Sequence, residues 1–329
     1  MKELILHIGL AKTGTSTLQH YLTQNALRLA DFGICYPKTG RRGVAHHGLA
    51  EVCRMPLTPH FPTLRKKLAA EMAPFDRAII SSEGFQSARC YPGVVLMFGF
   101  PTRKRPVIRT VCYLREFLET ACSSYAQKVQ NSNLATGLDA FCERRFRGLV
   151  MQRLSFWRWF SDDARFVLFD RGELQGADIV EDFFWQAEAK MPGPVSQTDA
   201  NPSISGNLLG FKLLLNARKL HNQDYYRAFL ALAREDAAYR GRFRLSDEAA
   251  AGLRARFSSY NASVGKLAGD VTCRSFDGEK PVFDPATWDA DLERFLSHPA
   301  LAEMREDASL MATLRDKAGI AAFTRKLGF

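Results

Sequence analysis

Leu4-Ile5-Leu6-His7-Ile8-Gly9-Leu10-Ala11-Lys12-Thr13-Gly14-Thr15-Ser16, residues 4–16, decides how the chain is read. A short apolar run passes into a turn bounded by Gly9 and Gly14. Hydroxyl residues follow, then Leu18, Tyr21, Leu22 and Leu29 at helical spacing. A strand entering a helix through such a turn offers backbone N–H groups and the positive end of the helix dipole to an anion. In NTPases the spacing is G-x-x-x-x-G-K-[ST]; the lysine reaches the β- and γ-phosphates and the next hydroxyl binds Mg²⁺. Here Thr15 stands in the lysine's place and the lysine, Lys12, precedes the second glycine. The sequence therefore argues for anion binding and against ordinary ATP or GTP hydrolysis.

Along the chain, strand-like runs alternate with helical ones. Strands are expected at Leu4–Ile8, Ala78–Ile80, Val107–Leu114 and Arg165–Phe169. Helices are expected at Ser16–Leu29, Gly48–Arg54, Thr63–Met72, Glu116–Val129 and Leu154–Phe160, where Phe156, Trp157 and Trp159 read as core. This alternation predicts an α/β fold with a mostly parallel central sheet and helices on both faces. Met191–Pro202 reads as a loop, and the rest as helical: Ser205–Leu220, Tyr225–Arg234, Ser246–Leu267 and Trp288–Phe295. The expectation is one domain over 1–329, with an α/β core at 1–190 and a helical extension at 191–329 packed on it.

The 329 residues carry a formal net charge of +10, with 46% hydrophobic and 24% charged residues. Such a chain can bury a sizeable core and favours anionic ligands. Its seven cysteines (Cys35, Cys53, Cys90, Cys112, Cys122, Cys142 and Cys273) show no C-x-x-C spacing, so buried thiols are expected rather than disulfides or a zinc site. The first apolar run is too short for a signal-peptide core, and no run approaches the roughly 18 apolar residues of a membrane span. A soluble, cytoplasmic protein is expected, and the sequon at Asn261-Ala262-Ser263 is then incidental.

Lys12-Thr13-Gly14-Thr15-Ser16 resembles the 5′-phosphosulfate loop of sulfotransferases that use 3′-phosphoadenosine 5′-phosphosulfate (PAPS), of the bacterial carbohydrate type. The common form in that family is K-[ST]-G-T-[TS], and all positions match. The resemblance implies a P-loop-like sulfotransferase fold. It implies that Thr13, Gly14, Thr15, Ser16 and Thr17 cradle the nucleotide, and that Lys12 stabilises charge on the bridging oxygen as the sulfonate departs. Sulfonyl transfer needs a cation there and no metal. The family's second element, an arginine ending the third strand and a serine eight residues on, matches Arg115 and Ser123, with Tyr125 completing L-R-x-x-x-x-x-x-x-S-x-Y. These would grip the 3′-phosphate, for which a guanidinium fork is well suited. Where the family usually has Asp-Pro after the arginine, this chain has Glu116-Phe117.

Transfer to a hydroxyl or amine also needs a base. In the family it is a histidine or a glutamate, so His46, His47 and Glu83 all stand as candidates. The first two lie beside Arg41 and Arg42, which suit an acidic or sugar acceptor; Glu83 follows a strand, where α/β sheets place ligand residues. An imidazole titrates near neutral pH without help, whereas Glu83 could instead hold Lys12 or Arg115 in place. Ser205 is expected to cap a helix near Gly206; the family closes a loop from this region over the nucleotide, and the resemblance thereby implies a contact from Asn201 or Ser203. The expected activity is sulfonate transfer from PAPS to a carbohydrate or small metabolite, leaving adenosine 3′,5′-bisphosphate. The competing readings are a P-loop kinase with a degenerate loop, and a non-catalytic module for nucleic acid or another polyanion. Against the module, the basic runs Arg103-Lys104-Arg105 and Arg144-Arg145 are short and lack interleaved aromatics.

Overall fold

A computed structural model describes residues 1–10, 12–99, 105–146, 154–170, 172–195, 202–275 and 279–329. In chain order the elements are β1 (Glu3–His7), α1 (Thr15–Gln24), α2 (Ala26–Asp31), β2 (Ile34–Cys35), α3 (His47–Cys53), α4 (His60–Met72), β3 (Arg77–Ser81) and α5 (Tyr91–Phe98). Next come β4 (Val107–Leu114), α6 (Phe117–Gln130), α7 (Leu138–Phe146), α8 (Ser155–Phe160), β5 (Asp163–Leu168) and α9 (Ile179–Gln186). The remainder is helical: α10 (Gly206–Ala217), α11 (Gln223–Glu235), α12 (Asp247–Arg256), α13 (Ser258–Ala268), α14 (Trp288–Ser297), α15 (Ala308–Arg315) and α16 (Lys317–Lys326).

The strands form one sheet in the order β2-β3-β1-β4-β5, and every pairing is parallel. The fold is thus α/β with an all-parallel sheet. Central β1 is buried along its whole length, because helices cover both faces. Ile5, Ile79, Val111 and Tyr113 point to one face and pack with Leu18, Tyr21 and Leu22 of α1 and Ile179, Val180 and Phe183 of α9. Leu4 points the other way, into a cavity it shares with Leu68 and Met72 of α4 and Met97 and Phe98 of α5. Each such aliphatic side chain contributes about 1.5–3 kcal/mol on full burial.

By packing, the chain divides into two compact units that interleave along the sequence. The first comprises Met1–Glu116, Val150–Thr198 and Tyr260–Val271; the second comprises Phe117–Leu149, Asp199–Ser259 and Thr272–Phe329. The first holds the whole sheet. At the start of its strands an ionic network replaces apolar packing. Arg109 reaches Glu3 at 3.0 Å, Asp163 at 3.0 Å and Glu188 at 2.9 Å, and Arg77 adds a second contact to Glu3 at 2.8 Å. The second unit is helical, with Phe211, Phe229, Trp288 and Phe295 buried together with Tyr125 and Tyr239.

The expected helix at 16–29 is two helices, because Asn25 leaves helical geometry between α1 and α2. Phe257 likewise separates α12 from α13. Trp157 is fully buried, but Trp159 is 73% exposed and is not core, since the helix turns it away from the sheet. Ser205 occupies the position before α10, yet its hydroxyl donates to the Arg242 carbonyl at 2.8 Å rather than capping the helix. Asn201 and the pair Arg103-Lys104 lie outside the described residues. Six cysteines are buried free thiols and Cys273 is exposed. Among the described residues, no helix is long and apolar enough to cross a membrane.

Candidate functional site

The chain leaves β1 toward β2 and β3 on one side, and leaves β4 toward β5 on the other. The carboxyl ends of β1 and β4 therefore flank a topological switch point, where open α/β sheets bind ligands. Lys12 and Arg115 come from the loops after these two strands. After β1 the backbone keeps pairing with β4, Ile8 N–H to the Val111 carbonyl (3.1 Å) and Leu10 N–H to that of Tyr113 (3.0 Å), before it turns into α1.

The turn is held open by its glycines. A Cβ on Gly9 would lie 2.8 Å from both His7 Nε2 and Thr15 Cγ2, so only glycine fits there. Gly14 adopts a left-handed conformation with φ 73°, and so does Lys12, with φ 74°. That geometry is unfavourable for a lysine and persists only where neighbours enforce it. Two hydrogen bonds do so: Arg115 Nη1 donates to the Lys12 carbonyl at 3.0 Å, and Thr13 Oγ1 donates to the Leu10 carbonyl at 2.6 Å. From the other side Gln86 Nε2 donates to the carbonyls of Ile8 and Gly9. Arg115 also lies over the Phe169 ring, 5.6 Å from its centroid. Helix α1 has no side-chain cap, so its first turn at Thr15, Ser16 and Thr17 presents main-chain donors at the loop.

Lys12 is largely withdrawn from water. Burial, followed by the adjacent Arg115 cation, lowers its pKa to about 8. Among the described residues its ammonium has no carboxylate partner. Glu83, which could have supplied one, is engaged elsewhere: it accepts from Thr15 Oγ1 and, at 3.2 Å, from Gln19 Nε2. Burial raises the Glu83 pKa, but the bonds from Thr15, its own N–H and Gln19, together with His7, outweigh that and lower it. Glu83 is a fixed anion that orders α1 against β3.

The histidines divide sharply. His46 is fully buried; its Nδ1 accepts from the Ser81 N–H at 3.1 Å and its Nε2 donates to the Pro37 carbonyl at 2.9 Å. Burial lowers its pKa to about 4, and both nitrogens serve the backbone. His47, the first residue of α3, is 45% exposed, with Nδ1 2.8 Å from Ser82 Oγ and Nε2 3.9 Å from Glu83 Oε2. The tautomer that donates from Nδ1 to Ser82 leaves the Nε2 lone pair available to accept a proton.

Sequence reading passed over four residues the site uses: His7, Gln19, Ser81 and Ser82. Gln19 donates to Ser81 Oγ at 3.1 Å, which leaves the Ser81 hydroxyl to donate to His7 Nδ1 at 2.7 Å. Among the described residues the buried His7 Nε2 beneath Gly9 then has no partner, and burial lowers its pKa to about 4 despite Glu83 nearby. The signal was available, since Ser81-Ser82 and His7 sit at carboxyl ends of strands. Within the first unit, then, Lys12, Thr13, Gly14, Thr15, Arg115, His47 and Glu83 form a single set of loops. Ser16 is exposed and Thr17 half-buried on the first turn of α1. Ser123 is half-buried on α6 and belongs to the second unit. Compared with known proteins, the chain matches no family model, no curated protein sequence and no solved structure.

Proposed function

We propose that the chain is a PAPS-dependent sulfotransferase of the P-loop-like fold, acting on a hydroxyl-bearing or amine-bearing carbohydrate or small metabolite. The observation that carries the reading is Lys12, a largely buried ammonium without a carboxylate partner among the described residues, set against the first turn of α1 at the switch point of the sheet. Lys12 and the Arg115 guanidinium are close enough to disfavour each other's charge, which an anion bound beside them would offset. In the proposed reaction the 5′-phosphosulfate lies along residues 12–17 and Arg115 holds the 3′-phosphate, as the resemblance implies. The acceptor oxygen attacks sulfur, the bond from sulfur to the bridging oxygen breaks, and His47 Nε2 takes the acceptor's proton. Lys12 and the loop amides then stabilise the charge left on adenosine 3′,5′-bisphosphate. His47 is favoured over Glu83 because the carboxylate is held as a weak base by its hydrogen bonds. It is favoured over His46 because that ring has no free nitrogen.

One arrangement favours a second reading. Thr15 and Glu83 adjoin each other, and a loop hydroxyl with a nearby carboxylate are the groups that hold Mg²⁺ in P-loop NTPases. The test is incubation with PAPS labelled in its sulfonate, over a panel of hydroxyl acceptors in the presence of EDTA. Label transfer that is lost in Lys12→Ala supports sulfotransfer. Phosphoryl transfer from Mg²⁺-ATP, with PAPS left intact, would establish the kinase instead.

A further inference from the structure

Away from the nucleotide loop, the turn that joins α3 to α4 is built to present apolar groups to solvent. It is closed by two bonds to one acceptor: the Met55 carbonyl receives Thr58 N–H at 3.2 Å and Thr58 Oγ1 at 2.9 Å. Pro56 and Pro59 stiffen it, and buried Phe61 anchors the start of α4. On this firm turn Met55 is 57% exposed and Leu57 95% exposed, the latter the most exposed large apolar side chain among the described residues. A rigid support that holds two apolar side chains in water suggests a partner that takes them up.

The surroundings restrict what that partner is. Between Glu51 and Glu71 the sequence has no acidic residue, while Arg54, His60, Arg65, Lys66 and Lys67 all fall there. Glu71 is turned inward, accepting from the N–H groups of Lys38 (2.6 Å) and Thr39 (2.9 Å). Helix α4 buries Phe61, Leu68 and Met72 on one side and carries exposed Lys66 and Lys67 on the other. Among the described residues, those two lysines have no hydrogen bond or ion pair. Arg54, next to Met55, is also exposed and donates to the Gly84 carbonyl at 3.4 Å. Cations around an apolar tip match the surface of an anionic bilayer, where headgroups attract the cations and the hydrocarbon boundary takes the tip. A soluble polyanion would use the cations but not Met55 and Leu57.

We propose that this face docks the protein on an anionic lipid bilayer, with Met55 and Leu57 entering the interface. The proposal does not depend on the nucleotide chemistry. It does bear on it, because α3 alone, about 10 Å long, separates the turn from His47.

The test is co-sedimentation of the full chain with vesicles of phosphatidylcholine alone or mixed with phosphatidylglycerol. Binding is expected only to the mixed vesicles and to weaken as salt rises. Met55→Ser with Leu57→Ser should reduce it by about tenfold or more, and Lys66→Glu with Lys67→Glu should abolish its salt-sensitive part. Both pairs lie on the surface, so unchanged melting temperatures would show that the fold is intact. Failure of the wild type to bind mixed vesicles would overturn the proposal. So would equal binding by the serine variant, or retention on heparin together with no vesicle binding, which would identify a purely electrostatic surface for soluble polyanions.

Discussion

Lys12 combines a strained backbone, a depressed pKa and the absence of a carboxylate partner among the described residues, and these have one physical consequence. Its charged form is needed to hold an anion, and in the free protein that form is lost as pH rises through about 8. Affinity for adenosine 3′,5′-bisphosphate should therefore fall above pH 8, by up to about tenfold per pH unit. Lys12→Arg should flatten that dependence, because a guanidinium stays charged; calorimetric titration across pH 7 to 10 reads both. His47→Ala should lower kcat by about 10²- to 10⁴-fold and leave nucleotide affinity unchanged, as for a base that touches only the acceptor. His7 and His46 make a separate prediction. Each has a folded pKa of about 4 against an ordinary 6.5, so the unfolded state takes up protons first as the solution is acidified. Their contribution to stability is complete above pH 6.5, declines between 6.5 and 4, and is level below that, at about 1.4 kcal/mol per pH unit for each histidine. Urea midpoints measured from pH 7.5 to 5 check the slope, and His46→Gln should remove about half of it. Residue identity announced Lys12 and Arg115 because a motif surrounds them. It left His46 and His47 equivalent, because their difference lies in what faces each ring: the backbone of Pro37 and Ser81 for one, Ser82 and solvent for the other.

Among the elements, β1 and β4 carry the site at one end and an ionic cluster at the other. Arg109 is buried against Glu3, Asp163 and Glu188, so truncating it removes the shared partner of three carboxylates and leaves buried Glu3 to Arg77 alone. Arg109→Met should destabilise the protein by about 3–5 kcal/mol while leaving nucleotide affinity intact, since the loops lie at the opposite ends of these strands. Denaturant titration beside ligand titration separates the two effects. The longer strands were legible because β1 and β4 are mostly apolar or β-branched, Arg109 being the charged residue inside β4. Two-residue β2 was not, because Ile34-Cys35 is too short to show a period and is defined only by its pairing with Arg77 and Ala78. Helix α9 was missed although Asp178 caps it and Glu181 stands three residues on, the usual start signal. Its Ile179, Val180, Phe183 and Phe184 do share one buried face, but the helix is only eight residues long and exposed Trp185 blurs its polar side.

At the scale of the molecule, periodicity and turn residues suggested a division near residue 190, whereas the units interleave: 117–149 packs with the C-terminal helices and 260–271 with the sheet-bearing unit. Such long-range partnership leaves no local mark, so it could not be read from the chain. The basic excess of +10 was legible, but its distribution was not: Arg109 and Arg77 are consumed by the ionic cluster, while Lys12 has no carboxylate partner among the described residues. The central claim, that a displaced lysine marks a phosphosulfate loop, is tested most directly by thermal unfolding with adenosine 3′,5′-bisphosphate in EDTA, beside Mg²⁺-ATP. A ligand at about 100 times its Kd adds about 2.7 kcal/mol, enough to raise the melting temperature by a few degrees. Such a rise is expected for the wild type with the bisphosphate, with its loss in Lys12→Ala and in Arg115→Ala and little response to Mg²⁺-ATP. A wild-type melting temperature indifferent to the bisphosphate, or raised only by Mg²⁺-ATP, would contradict the central claim.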